Sequence, residues 1–281
     1  MTFSILQAVY KNDSPLFLNE CFSSIKNSTI QPAKIILVKD GSIPSELGTV
    51  ISEWQNKLPL QVVGYEKNQG LAHALNFGLQ FIDTDLVARM DSDDYCYSER
   101  FEKQVKYFET HPQTEVLGTG ISEFYLNEDG SISRKNRFYP LCSNNYSKTL
   151  FKGTPLAHPS VMLKSELLKT FKYSENTNMN EDIDLWFRLI RGGHILYNLE
   201  EPLLNFRITD STFKRRSIKK AFNEFKIYWN NLYALFRLSP LLIYPIARLF
   251  TRFLPYCINK KLYFSNMRNK LFKILNGGAK V

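Results

Sequence analysis

The chain lacks the cysteine spacing that a zinc site or a disulfide framework needs. Its four cysteines, Cys21, Cys96, Cys142 and Cys257, are scattered with no Cys-x-x-Cys pair, which fits a reducing compartment. No G-x-G-x-x-G follows the first apolar run, so the phosphate-binding turn of a dinucleotide-dependent oxidoreductase is missing. A membrane-spanning run is missing too. The charge-free stretch between Arg237 and Arg248 has 10 residues, against about 20 for a bilayer. The opening Met1-Thr2-Phe3-Ser4-Ile5 enters a strand at once, without the basic region and apolar run of a signal peptide. A cytoplasmic location is the expectation.

Acids are scarce at one end. Residues 206–281 carry 16 Lys and Arg against two acids, Asp210 and Glu224, a net +14. Residues 1–205 carry the other 20 basic and 25 acidic residues, a net −5. Such asymmetry points to a nucleic acid or an anionic membrane surface. Residues 227–258 are apolar and aromatic, interrupted by Arg237, Arg248 and Arg252 and divided by Pro240, Pro245 and Pro255. That pattern suits short interfacial helices on an inner-leaflet surface, basic groups at the headgroups. A helical cap or an oligomer contact is the competing reading. The stretch is too apolar for a solvated phosphate-binding surface, so no nucleic-acid partner is expected. The expected division is a body over 1–205 and a basic amphipathic helical region over 206–281.

What is present is a globular composition, 44% hydrophobic and 22% charged over 281 residues. Apolar runs alternate with helical patterns. Strands are expected at 3–10, 34–38, 60–64 and 81–90, the last centred on 85–90. Helices are expected at 15–26, 44–54, 70–81, 98–108 and 180–191. Residues 114–139 read as short strands with a turn at Asn127-Glu128-Asp129-Gly130. Strands alternating with helices imply an α/β fold with a mostly parallel, Rossmann-like sheet flanked by helices.

Asp91-Ser92-Asp93-Asp94 follows the fourth strand directly. Ligands of open α/β sheets bind at the carboxyl ends of strands. Residues i and i+2 face the same way, so Asp91 and Asp93 address one pocket. Paired carboxylates need a compensating cation, and hard oxygen ligands suit Mg2+ or Mn2+. A polar turn between strand and helix is the competing reading.

Several segments, in order and spacing, resemble the family 2 glycosyltransferases of the GT-A fold, in particular those of bacterial O-antigen and exopolysaccharide synthesis. The resemblance covers about residues 2–216. Gln7-Ala8-Val9-Tyr10 resembles the first nucleotide-contacting loop, which implies contacts from Ala8 and Tyr10. Val38-Lys39-Asp40-Gly41-Ser42 resembles an Asp-Asp-Gly-Ser segment, with Lys39 in place of the first Asp; the family's match to Asp40 contacts uracil. Asn68-Gln69-Gly70 through Asn76 resembles the Asn-x-Gly…Asn element beneath the nucleotide, which brings in Asn68, Gly70 and Asn76. The acidic cluster resembles the metal and ribose site, with Asp93 on the metal and Asp91 on ribose or metal. His158-Pro159-Ser160-Val161-Met162 resembles an acceptor-side segment. Glu181-Asp182-Ile183-Asp184-Leu185-Trp186 resembles the segment that holds the catalytic base.

Each of these residues has a rival reading. Asp40 and Gly41 are also ordinary turn residues. Gly70 also suits a tight turn, and Asn68 and Asn76 also suit local capping. His158 and His73 also read as structural. Glu181 and Asp182 also read as helix-capping acids at a positive dipole end. With the resemblance, Asp182 is the expected base and Glu181 its acceptor-positioning neighbour. Relatives often carry a His after an Arg near the end of the catalytic domain. Here Phe206-Arg207-Ile208-Thr209 places Thr209 where that His would fall, and Arg207, Lys214, Arg215 and Arg216 are placed to meet a diphosphate instead, with membrane-surface attraction the equal reading for the cluster at 214–216.

The resemblance thus implies a metal-dependent, inverting hexosyltransferase. The donor is a UDP-sugar, the acceptor a polyprenyl-diphosphate-linked saccharide, and the enzyme is peripheral at the cytoplasmic face of the inner membrane. A sugar-nucleotide pyrophosphorylase would show a Gly-rich basic N-terminal loop, which Gln7-Ala8-Val9-Tyr10-Lys11-Asn12 is not. A non-catalytic sugar-nucleotide-binding or scaffold protein is the remaining alternative.

Overall fold

The computed structural model describes residues 1–127, 129–142, 154–177, 180–209, 218–237 and 242–252. The first of its two compact units comprises Met1–Tyr146 and Thr154–Ile208. It begins with alternating strands and helices: β1 (Phe3–Val9), α1 (Pro15–Lys26), β2 (Lys34–Asp40), α2 (Ser45–Gln55), β3 (Leu60–Tyr65), α3 (Leu71–Leu79) and β4 (Leu86–Arg89). Then follow β5 (Tyr95–Cys96), α4 (Arg100–Thr110), β6 (Val116–Leu126) and β7 (Ile132–Arg137). The unit closes with β8 (Met162–Lys164), α5 (Ser165–Phe171), α6 (Glu181–Arg191) and β9 (Leu196–Ile208).

Local chemistry starts these elements. Ser14 caps α1, its Oγ accepting from the Phe17 amide at 3.5 Å, and Pro15 fills the first helical position. Leu18, Cys21, Phe22 and Ile25 then recur at helical spacing and are buried against the sheet. Each such Leu, Ile or Phe contributes about 1.5–3 kcal/mol by leaving water. The cluster they join includes Phe3, Ile5, Ile35, Leu37, Leu86 and Phe101, which spans both sheet and helices.

The strand order is β3-β2-β1-β4-β8-β6-β9-β5, with β7 beside β6. The β3-β2-β1-β4 half is wholly parallel. In the other half β6 and β9 run parallel, while β8, β7 and β5 join antiparallel.

Three expectations shift. Residues 81–85 are a turn, not strand; Asp85 receives the Thr2 amide and Thr84 Oγ1 donates to the Leu86 carbonyl, so side chains take the place of a ladder. The helix expected from Ser98 starts at Arg100. The expected division after 205 falls inside β9, which runs on to Ile208. The hairpin is β6 with β7; Glu128 of its expected turn lies outside the described residues.

The second unit comprises Ser147–Gly153 and Thr209–Val281. Its described part is α7 (Ile218–Phe236) and α8 (Ile243–Arg252). Arg248 of α8 pairs with buried Glu224 of α7 and lies over the rings of Tyr228 and Tyr244. Among the described residues no helix is long and apolar enough to cross a membrane.

Candidate active site

Because β1 to β4 are parallel, their carboxyl ends share one edge of the sheet, and most of the site gathers there. β4 delivers the acidic loop. Asp91, Asp93 and Asp94 each offer an oxygen within 4.8 Å of the others. Three like charges that close repel unless donors or cations intervene. Two arginines intervene. Arg89, only 2% exposed, pairs with Asp91 and also donates to the Met90 carbonyl. From β9, the Arg207 amide donates to Asp94 Oδ1 at 2.8 Å and its Nε to the Asp93 carbonyl at 2.8 Å.

Asp94 is 1% exposed; burial, then Asp93 and Asp91, push its carboxyl well above the usual range. Its Oδ2 is buried without a hydrogen-bond partner. A triad of hard oxygen donors with one buried oxygen unsatisfied fits Mg2+ or Mn2+. Metal binding would reverse the electrostatics that raise Asp94, since a cation favours the ionised form.

The β1–α1 loop is tied to this cluster. Asp13 Oδ2 accepts from Ser92 Oγ at 3.0 Å and from the Tyr10 amide at 3.1 Å. Gln7 Nε2 donates to the Asp91 carbonyl at 3.3 Å. Ala8 and Tyr10 are therefore held beside the acidic loop, both half-buried.

Asp40 ends β2, and its carboxylate is filled by the protein itself. Oδ1 accepts from Tyr65 Oη (3.0 Å) and the Gln69 amide (2.7 Å); Oδ2 accepts from Asn68 Nδ2 (2.8 Å) and the Gly70 amide (3.0 Å). A carboxylate has about four such acceptor sites. Asp40 thus staples the Asn68–Gly70 loop to β2 and β3. Gly70 at φ 94° turns its amide toward Asp40. At Gly41, φ 87°, a Cβ would lie 2.7 Å from the Asn68 nitrogen, so only glycine lets the two loops meet.

Asn76 and His158 also have protein partners. Asn76 Oδ1 accepts from the Tyr173 amide and its Nδ2 donates to the Tyr173 carbonyl, both at 2.8 Å. His158 is buried, with Nε2 3.0 Å from Tyr173 Oη and its ring edge-on to Trp186. Burial, then the Arg89 charge, hold His158 well below the usual histidine range, so it is neutral at physiological pH.

α6 carries Glu181, Asp182 and Asp184 in its first turn, where the dipole favours anions. Glu181 is buried and Asp182 half-buried. Asp184 is held by Arg188 at 2.7 Å, one turn on. Tyr173 lies where charges from both sides reach it. Burial raises its phenol most; Arg89 opposes, and Glu181, Asp182 and Asp91 add to the rise. Carboxylates of α6 and of the acidic loop therefore both act on one buried phenol.

The guanidinium of Arg207 pairs with Glu20 and lies 4.0 Å from the Phe17 ring centroid and 4.7 Å from that of Phe124. Its observed contacts brace the acidic loop. Lys214, Arg215 and Arg216 lie outside the described residues. Sequence reasoning missed Arg89, Tyr173 and Asp13. A charged residue inside the apolar run before Asp91 was a legible signal for Arg89; Tyr173 and Asp13 gave none.

Residues 4–170 match the model of the glycosyl transferase family 2. The amylovoran biosynthesis glycosyltransferase AmsE of Erwinia amylovora is 35% identical over 265 residues, 93% of this chain and 97% of that protein. An Escherichia coli UDP-Gal:alpha-D-GlcNAc-diphosphoundecaprenol beta-1,3-galactosyltransferase is 34% identical over 273 residues, 96% of this chain and 98% of that protein. Among solved structures, Staphylococcus aureus TarS 1–349 in complex with UDP-GlcNAc has a TM-score of 0.64 at 17% identity, covering 98% of this chain and 76% of that one. The mannosyltransferase PcManGT of Pyrobaculum calidifontis, solved with GDP-Man and Mn2+, has a TM-score of 0.60 at 13% identity, covering 98% and 84%. The last two share the fold, and the family match with the two full-length relatives settles the classification: the chain is a glycosyltransferase and belongs to glycosyl transferase family 2.

Proposed function

We propose that the protein transfers a hexose from a UDP-sugar to a hydroxyl of a polyprenyl-diphosphate-linked saccharide, with inversion at the anomeric carbon, in surface polysaccharide synthesis. The observation that carries this is the carboxylate triad Asp91, Asp93 and Asp94 at the sheet's edge, with an orphaned buried oxygen. Asp93, Asp91 and Asp94 are the residues to hold the cation. When bound, Mn2+ or Mg2+ neutralises charge that develops on a departing nucleoside diphosphate.

The remaining roles belong to side chains. Ala8, Tyr10, Asn68 and Gly70 form the nucleotide wall, and Asp40 acts by holding the loop that carries two of them. Arg207 and Arg89 keep the acidic loop in place. Asp182 takes the acceptor hydroxyl's proton as that oxygen attacks, and Glu181 orients the acceptor. Asp182 stands in the first helical turn, where the dipole favours an anion. His158, neutral and buried, shapes the acceptor side. The E. coli relative supports a lipid-linked acceptor by its stated substrate. The basic, amphipathic second unit suits a peripheral position at the cytoplasmic face of the inner membrane.

The test uses purified protein, Mn2+ and a panel of UDP-galactose, UDP-glucose and their N-acetyl forms, read as UDP release and as transfer to GlcNAc-diphosphoundecaprenol. Wild type should turn over one donor. Asp93→Asn should lose metal-dependent UDP binding. Asp182→Asn should lose transfer by about a thousandfold or more while binding UDP like wild type. Wild-type turnover by Asp182→Asn would remove the base assignment.

A further inference from the structure

Asn76 is expected beneath the nucleotide, yet its amide is directed elsewhere. It grips the backbone of Tyr173, 97 positions away, from both sides at 2.8 Å, as one strand residue grips its ladder partner. Its Nδ2 also reaches Glu175 Oε1 at 3.1 Å, and His73, nearly one turn earlier on α3, reaches Glu175 Oε2 at 3.1 Å. Two residues of one helix thus hold the segment after α5.

The same segment is held from the other side. Arg188 of α6 donates to the Phe171 carbonyl and, at 2.7 Å, to the Lys172 carbonyl. Lys172 sits at φ 49°, a conformation non-glycine residues adopt only when their surroundings impose it. Tyr173, 3% exposed, then sends its hydroxyl to His158 Nε2 at 3.0 Å. The His158 ring stands edge-on to Tyr173 at 5.4 Å and to fully buried Trp186 of α6 at 6.2 Å. Trp186 is one helical turn from Asp182, on the same side of α6.

We infer that Asn76 is a positioning residue for the base helix and not a nucleotide ligand: through Tyr173 and His158 it fixes α6, and with it Asp182, relative to α3. The inference rests on the transferase reading above. It assigns Asn76, Tyr173 and His158 to one connected strap between the helix behind the nucleotide loop and the helix that carries the base. Chemistry that needs the acceptor oxygen, Asp182 and the anomeric carbon in line is sensitive to an ångström of drift in α6, on the order of a hundredfold in rate. Nucleotide binding at the ends of β1, β2 and β4 is not.

The test compares Asn76→Ala and the milder Tyr173→Phe with wild type. UDP affinity is read by calorimetry with Mn2+, and kcat and KM for the donor by UDP release and transfer. Folding is checked by thermal melts, and Tyr173→Phe keeps the ring if Asn76→Ala proves unstable. The expected result is a kcat lower by about ten- to a hundredfold, with the UDP Kd and donor KM within about twofold of wild type. The double variant should lose little more than the worse single one, because both act through the same strap. If wild type transfers sugar and Asn76→Ala loses UDP affinity in step with rate, Asn76 is a nucleotide ligand and this inference fails alone. An unchanged kcat in both variants also overturns it. If wild type binds UDP but uses no donor, the transferase reading fails and this inference with it.

Discussion

Asp94 is the member of the acidic loop with no route to solvent, and its protonation links the site to stability. Its raised carboxyl means that the folded state holds a proton that the unfolded chain has already released. Folded protein therefore binds more protons than unfolded protein between the ordinary carboxylate pKa, about 3.9, and the raised one, so stability falls as pH rises through that window. His158 has the opposite sign. Its depressed folded pKa means that the unfolded chain takes up the proton, so its contribution is lost as pH falls through the ordinary value, about 6.5. The two separate when wild type is compared with Asp94→Asn. Without metal, wild type should lose melting temperature relative to Asp94→Asn as pH rises above the ordinary carboxylate range, and Mn2+ should restore it. Parallel pH curves for the two proteins would show that Asp94 is not held protonated by its surroundings.

At the scale of the element, β2, β3 and the loop before α3 meet at one junction, and Asp40 is its fastener. Asp40→Ala would leave the Gln69 and Gly70 amides and the Tyr65 hydroxyl without their acceptor. One donor stranded in a part-buried loop costs on the order of 1–3 kcal/mol, so urea unfolding should show a loss of about 2 kcal/mol or more. Gly41→Ala attacks the same junction by collision and by its positive φ. Both should weaken UDP binding without touching Asp93; a stable Asp40→Ala that binds UDP normally would show that the staple is dispensable.

The same junction shows what a sequence can and cannot reveal. The β1-α1-β2-α2-β3-α3-β4 alternation was readable, because helical and strand periodicities are local and each helix buries one face. Asp40 stood out in the sequence for a uracil contact, but the four donors that fill its carboxylate come from β3 and the following loop, 25 to 30 positions on. Tyr173 was invisible because nothing nearby in the chain marks it; its contacts with Asn76 and His158 exist only once the sheet has closed. β6 and β9 pair in parallel over separations that no local pattern encodes.

At the scale of the whole molecule, charge and apolar surface divide between two parts of one chain: a net −5 over residues 1–205 and +14 over 206–281. α8 has an inverted surface for a helix in water. Ile243 (67% exposed), Ile246 and Phe250 (70% exposed) recur at i, i+3 and i+7 on its open face, while Arg248 is turned toward Glu224 and two tyrosine rings. α7 adds exposed Phe222, Tyr233 and Lys226, and exposed Arg237 follows its last residue. Apolar groups of this kind gain about 1.5–3 kcal/mol each on leaving water, and each basic group near an anionic leaflet adds about 1 kcal/mol. An anionic bilayer satisfies both, and it is where a polyprenyl-diphosphate acceptor resides. Replacing Ile246 and Phe250 together by Asp should lower cosedimentation with phosphatidylglycerol-rich vesicles by about tenfold or more. UDP release from the soluble donor should stay at the wild-type rate, since neither side chain belongs to the unit that holds the acidic cluster. Raising salt should weaken wild-type binding, because screening removes the charge contribution and leaves the apolar one. Undiminished vesicle binding by the double variant, or equal binding to purely zwitterionic vesicles, would break the link between this helix face and the membrane.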